Sequence, residues 1–189
     1  MRNILIIARR DLRAQFNSPV AYVVIAGSLL LLGACVFGPH LAIAGFAIGG
    51  FWDLDRATMD TMFTGLPFLL SLFVIPAVTM RSLAAEKGSG TLELLITMPV
   101  RDSEVILGKY LASCAFVFVL LTLSLLYPIA MFKWPWHLGA LDWGPVWASY
   151  LGCIFFASAA VGVGMMLSSL TESDVIAFFM TSLLLTGLY

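Results

Sequence analysis

The chain has 189 residues, of which 61% are hydrophobic and only 11% are charged, and its formal net charge is −1. A water-soluble domain of this length would carry more charge on its surface, so the composition places the chain among membrane proteins. The near-neutral charge excludes nucleic-acid binding through a strongly basic surface.

Residues 1–16 are predicted to form an amphipathic helix that lies on the membrane surface. Most apolar residues of this segment share one side of a helical wheel, although Asp11 and Gln15 interrupt that side. The arginines lie on another side, where they can reach anionic headgroups of the inner leaflet. The residues predicted to make this contact are Arg9, Arg10 and Arg13. The alternative is a basic segment that only orients the first span.

Residues 17–189 are predicted to form one helical membrane domain, because apolar runs near the length that crosses a bilayer recur along it. The predicted spans are about 20–37, 62–80, 105–132, 146–170 and 175–189, and the last is still apolar where the sequence stops. Residues 38–51 are too short to cross alone and contain Pro39. They are predicted to form a helix extension or a re-entrant segment on the outer side.

The basic residues predict the orientation of these spans. With the N-terminus in the cytoplasm, only Arg56 and Lys133 of the ten Lys and Arg residues fall on the outer side. This distribution follows the positive-inside rule, and all five tryptophans then fall at the outer interface, which indole rings favour. Within the fourth span, Ala160, Gly164 and Ser168 recur every four residues, a spacing that predicts close packing against another helix.

The spans contain few groups that could perform chemistry. No Asp, Glu, Arg or His lies in the middle of a span, and Lys109 lies near an inner end, where it is expected to extend toward the interface. The serines of the spans have no visible His or Asp partner, and the cysteines and histidines lack the spacing of metal ligands. Gly108-Lys109 also lacks the preceding glycine of a P-loop. We therefore expect no catalytic residue, no metal and no cofactor in this chain.

The loop over residues 81–104 is the most distinctive segment, and residues 86–100 read EKGSGTLELLITMPV. The glycines permit a sharp change of direction, and Glu93 suits the positive N-terminal end of a new helix. Pro99 then ends that helix. The pattern predicts a short amphipathic helix between the second and third spans. Such a helix could rest on its own protein or lipid, or it could dock into a partner protein.

The segment EKGSGTLELL at 86–95 resembles the loop after the second span in ABC-2 type transporter permeases. The resemblance extends to TMPV at 97–100, Gly108-Lys109, LDWGP at 141–145 and SSLTE at 168–172. Together these segments are most similar to the branch related to gliding-motility permeases. The resemblance implies an all-α, polytopic bundle of the type V exporter kind. That bundle normally has six spans, of which four complete ones and part of a fifth are present here.

The resemblance also implies a function and partners. The loop helix would be a coupling helix that contacts a separate cytoplasmic ATPase through Glu86, Gly90, Thr91 and Glu93. ATP and Mg²⁺ would bind to that ATPase subunit, and residues 1–16 would match the family's connecting helix. A second permease copy or a related permease would complete the complex in the bacterial inner membrane. Export is the expected direction.

Two alternatives from other classes stay open at the level of the sequence. One is a passive assembly or anchor subunit whose loop helix binds a partner without ATPase activity. The other is a membrane enzyme, which would need a polar cluster at depth that the sequence does not show.

Overall fold

A computed structural model describes residues 2–37, 41–43, 46–48, 60–88, 102–132 and 143–188. Eight α-helices and one turn of π-helix account for nearly all of these residues. The helices are α1 (Arg2–Asn17), α2 (Pro19–Phe37), α3 (Asp60–Leu69), α4 (Ile75–Gly88), α5 (Asp102–Ser124), α6 (Leu126–Phe132), α7 (Trp143–Ser169) and α8 (Asp174–Leu188). The π-helical turn, Leu70–Val74, joins α3 to α4.

Three helical stretches within the described residues are long and apolar enough to cross a membrane, namely Gly65–Ala84, Asp102–Ala130 and Trp143–Ser169. A fourth candidate is the pair formed by α1 and α2, which is bent by 74° between Asn17 and Pro19. Helix α8 is a shorter apolar helix. The predicted class, an all-α polytopic membrane protein, is confirmed.

The bend between α1 and α2 is caused by Pro19. Proline has no backbone N–H and is favoured at the first position of a helix, while the residue before it is disfavoured in helical conformation. Ser18 is accordingly the bend residue, and its carbonyl accepts a hydrogen bond from the Ala21 N–H at 3.1 Å. Helix α1 therefore leaves the axis of α2 at a steep angle.

Two three-residue strands, β1 (Leu41–Ile43) and β2 (Phe46–Ile48), follow α2 and pair antiparallel. The helix extension that was one prediction for residues 38–51 is therefore wrong for the described part of that segment. The reason is local: Pro39 stops helix propagation, and β-branched and aromatic residues favour the extended pairing that follows. Strands of three residues reach only about 10 Å, so this hairpin cannot cross a bilayer.

Part of the core lies where the π-helical turn packs against α2 and α8. Leu70, Val74 and Ile75 are fully buried there. Pro76 has no N–H, so the Leu72 carbonyl lacks the donor that an α-helix would give it four residues later. The Ser182 hydroxyl of α8 donates a 3.0 Å hydrogen bond to that carbonyl instead. The irregular turn is thus satisfied by a neighbouring helix, as a membrane interior requires.

Replacing Ser182 with alanine is expected to lower the free energy of unfolding by about 1 kcal/mol, because the Leu72 carbonyl loses this donor. The measurement is equilibrium unfolding of the purified protein in detergent. Ser158→Ala is the matched control, since the Ser158 hydroxyl donates to the Phe155 carbonyl of its own helix. Equal losses for the two variants would contradict this role of Ser182.

Candidate functional site

The candidate site lies at the end of the bundle where α1 packs beside the end of α4 and the start of α5. Helices α4 and α5 flank residues 89–101, the central part of the predicted coupling loop. Helix α7 ends at this same end of the bundle, and α8 begins there. The ends of four helices therefore meet beside the predicted coupling loop.

Helix α1 docks on α5 through Gly108, which is buried. A Cβ atom at Gly108 would lie 2.7 Å from Ile7 Cγ2 and 3.2 Å from the Ile4 carbonyl oxygen. A side chain at this position would therefore push α1 away. Further along the same pair of helices, the rings of Phe16 and Phe116 pack with their centroids 5.2 Å apart. Helix α1 is thus attached to the membrane domain itself.

The next residue, Lys109, joins three helices with its ammonium group. Lys109 Nζ lies 3.3 Å from Asp11 Oδ2 on α1 and donates a 3.0 Å hydrogen bond to the Ser82 carbonyl on α4. Lys109 is only 6% exposed. Arg10 Nε lies 3.1 Å from the other Asp11 oxygen. An ammonium buried to this degree needs a charged partner, and Asp11 provides one.

This arrangement corrects the prediction that Lys109 would extend to the interface, because the side chain instead turns inward between α1 and α4. The sequence did carry a signal for it. Asp11 interrupts the apolar side of α1, and Lys109 interrupts an apolar span. Opposite charges at two such interruptions are typical of a buried pair.

The predicted small-residue stripe of α7 lies against α4. Ala160, Gly164 and Ser168 are all buried. A Cβ atom at Gly164 would lie 2.5 Å from Thr79 Oγ1 and 3.0 Å from Thr79 Cβ. The absence of a side chain at Gly164 therefore allows the backbones of α4 and α7 to approach closely.

Ser168 connects α7 to α4 by hydrogen bonds to the backbone of α4. Its hydroxyl accepts hydrogen bonds from the Ala84 N–H at 3.1 Å and the Leu83 N–H at 3.3 Å. The same hydroxyl donates to the Met80 carbonyl at 3.2 Å. In a regular helix the Ala84 N–H pairs with that carbonyl directly. A side chain of α7 therefore bonds the same backbone groups that form the hydrogen-bond ladder of α4, in its last turns before the loop.

A weaker contact links α4 to α8 at the same end. Arg81 Nε lies 3.8 Å from Asp174 Oδ2, and both side chains are substantially exposed. An exposed pair at this separation contributes little to stability. It nevertheless places the start of α8 beside the end of α4.

The structure describes only part of the predicted coupling contact. Gly90, Thr91 and Glu93 lie outside the described residues. Glu86 lies in the last turns of α4, but its side chain is likewise outside the described part. The other predicted group, Arg9, Arg10 and Arg13, is exposed on α1. The proposed contacts of these two groups with an ATPase and with headgroups stay predictions.

The described parts of the chain hold no group of three or more His, Cys, Asp or Glu side chains placed to bind a metal ion. The polar groups that do meet, Asp11, Lys109 and the Ser82 carbonyl, belong to three different helices. This arrangement is suited to holding helices together.

Comparison with family models gives one match: the model described as "ABC-2 family transporter protein" covers residues 54–189. No curated protein and no solved structure matches the chain. The matched range includes α3 to α8 and the whole loop between α4 and α5, while α1 and α2 precede it. The Asp11–Lys109 pair therefore connects the matched region to the helix at the start of the chain.

Proposed function

The chain belongs to the ABC-2 transporter family, and from this premise we propose that it is the membrane-spanning permease subunit of an ATP-binding cassette exporter. The family match over residues 54–189 is the observation that carries the proposal. It also supports the sequence resemblance to ABC-2 permeases, although it does not separate the gliding-motility branch from others. Hydrolysis is assigned to a separate subunit, so the chain itself is not proposed as an enzyme.

We assign the coupling contact to the loop over residues 81–104. Glu86, Gly90, Thr91 and Glu93 would contact a cytoplasmic ATPase, which would bind ATP and Mg²⁺. A second permease copy or a related permease would complete the complex. In this arrangement the N-terminus and the loop face the cytoplasm of a bacterial cell, and the protein lies in the inner membrane.

The contacts around Lys109 support a route by which movement of the ATPase subunits would reach the membrane spans. The loop is continuous with α4 and α5, and Lys109 joins α5 to the Ser82 carbonyl of α4 and to Asp11 of α1. Ser168 joins α4 to α7. Closure of the ATPase subunits would then move the ends of α4 and α5 together with α1 and α7. Transport would be a switch between two packings, with ATP binding favouring one of them.

Co-purification with a candidate ATPase tests the coupling contact. Glu93→Arg reverses a charge at the proposed interface, and Gly90→Pro removes the conformational freedom of the turn. Each is expected to reduce the amount of bound ATPase at least tenfold. Glu172→Arg is the matched control, because Glu172 is exposed between α7 and α8 at the same end of the bundle but outside the loop.

The control variant should retain the ATPase and its transporter-dependent hydrolysis. If Glu93→Arg and Gly90→Pro retain the ATPase as well as the control does, the loop is not the docking segment.

A further inference from the structure

A cleft of about 370 Å³ lies at the bend between α1 and α2. Helices α4 and α5 form its opposite wall. Four helices and the bend residue Ser18 contribute to its wall. Val20 lines the cleft and is itself 40% exposed, so the cleft opens on the outer surface of the bundle beside α2. In a membrane this surface faces lipid.

The polarity of the wall changes in the same direction along three elements. On α5 the lining runs from Lys109 to Phe116, about 10 Å deeper at the helical rise of 1.5 Å per residue. On α4 it runs from Arg81 and Ser82 back to Val78 and Ala77, and on α2 from the polar Ser18 to the apolar Val20, Ala21 and Val24. The polar end lies at the N-terminal side of the membrane, and the apolar end lies toward its middle. A lipid in the same leaflet has its polar headgroup and its apolar chains in this order.

Two polar atoms of the wall have no hydrogen-bond partner among the described residues. The Ser82 hydroxyl and Gln15 Oε1 are buried, and neither makes a hydrogen bond within the described residues. Ser82 as a whole is only 9% exposed. Buried polar atoms without a partner are costly, so a further polar group is expected to bind there.

The charges at the polar end favour an anion. The cations there are Arg10, Arg81 and Lys109, against the anions Asp11 and Asp174. Arg81 lines the mouth with a side chain that is 55% exposed, and its Nε atom is 3.8 Å from Asp174, beyond hydrogen-bond distance. Its guanidinium can therefore donate to a phosphate oxygen at the opening.

We propose that this cleft binds an anionic phospholipid from the leaflet on the side of the N-terminus. The phosphate lies between Arg81 and the Ser82 hydroxyl, and the first part of one acyl chain lies along Val24, Val78 and Phe116. The lipid would thereby fill the cleft at the bend between α1 and α2. It would contact α4 and α5, the helices that flank the coupling loop. This site is independent of an ATPase and of transport.

Native mass spectrometry of the purified full chain in detergent tests the proposal, with added phosphatidylglycerol or phosphatidylcholine as the probe. Wild type is expected to bind one phosphatidylglycerol in preference to phosphatidylcholine. Arg81→Gln should weaken the first phosphatidylglycerol about tenfold, as expected for loss of a charge-assisted hydrogen bond. Ser82→Ala should weaken it about threefold without lowering the thermal midpoint, because the hydroxyl makes no hydrogen bond within the described part of the chain.

Lys87→Gln is the matched control, since Lys87 is exposed on the same helix and does not line the cleft. It should leave the first lipid unchanged. Equal weakening by Lys87→Gln and Arg81→Gln would show attraction to general surface charge and overturn the site. Absence of a preference for phosphatidylglycerol would also overturn it. Displacement of the lipid by soluble glycerol phosphate at equal concentration would identify a free phosphate ester as the ligand instead.

Discussion

Asp11→Ala is expected to destabilise the protein by about 3 kcal/mol. Asp11 is the carboxylate that faces Lys109 Nζ at 3.3 Å, and Lys109 is nearly completely buried. Removing one partner of a buried ion pair takes away a charge that compensates the other in a medium that disfavours it. The loss should be seen in the free energy of unfolding measured by equilibrium denaturation in detergent.

A double-mutant cycle separates this pair from other effects of the substitution. Lys109→Met in the Asp11→Ala background also removes the buried ammonium charge, so the double variant should be more stable than Asp11→Ala alone. Asp174→Asn is the control, because it removes only the exposed contact with Arg81 and should cost less than about 1 kcal/mol. If the double variant loses the sum of the two single losses, Asp11 and Lys109 do not stabilise each other.

Gly164→Val is expected to destabilise the protein by about 3 kcal/mol through overpacking. The first atom of the new side chain would lie 2.5 Å from Thr79 Oγ1 and 3.0 Å from Thr79 Cγ2. Thr79 cannot move aside easily, because it is fully buried and its hydroxyl donates a 2.8 Å hydrogen bond to the Ile75 carbonyl. Helices α4 and α7 would have to separate along their contact surface, which also contains Ser168.

Gly152→Val is the matched control for this variant. It makes the same substitution in the same helix, at an exposed position where no atom lies within 4 Å of the new Cβ. The two variants change helix propensity equally, so their difference in unfolding free energy measures the contact with Thr79. A difference smaller than about 1 kcal/mol would contradict the close approach of α4 and α7 at Gly164.

Much of this architecture was predictable because apolar length and charge act locally along the chain. The long apolar runs correspond to the candidate spans, and Pro19 indicates where α1 ends and α2 begins. The four-residue spacing of Ala160, Gly164 and Ser168 indicates a packing face of α7 from the sequence alone. Each of these signals lies within one continuous segment of the chain and does not require contacts between distant segments.

The contacts of the candidate site depend on residues far apart in the chain, and the sequence did not identify them. Asp11 and Lys109 each interrupt an apolar face, but neither interruption indicates where the other residue will lie in the folded protein. The hydrogen bond from Ser182 to the Leu72 carbonyl likewise depends on the placement of α8 against the π-helical turn. Pro76 indicates that a donor is missing there but not which helix supplies one.

The docking of α1 onto Gly108 and Lys109 also has a consequence for biogenesis. Asp11 leaves the ribosome roughly a hundred residues before Lys109, which at ordinary elongation rates is about 5 to 20 s. During that interval the carboxylate has no ammonium to meet, and α1 has no surface of α5 on which to settle. Helix α1 must therefore wait at the membrane until α5 has entered, although α1 is translated well before α5.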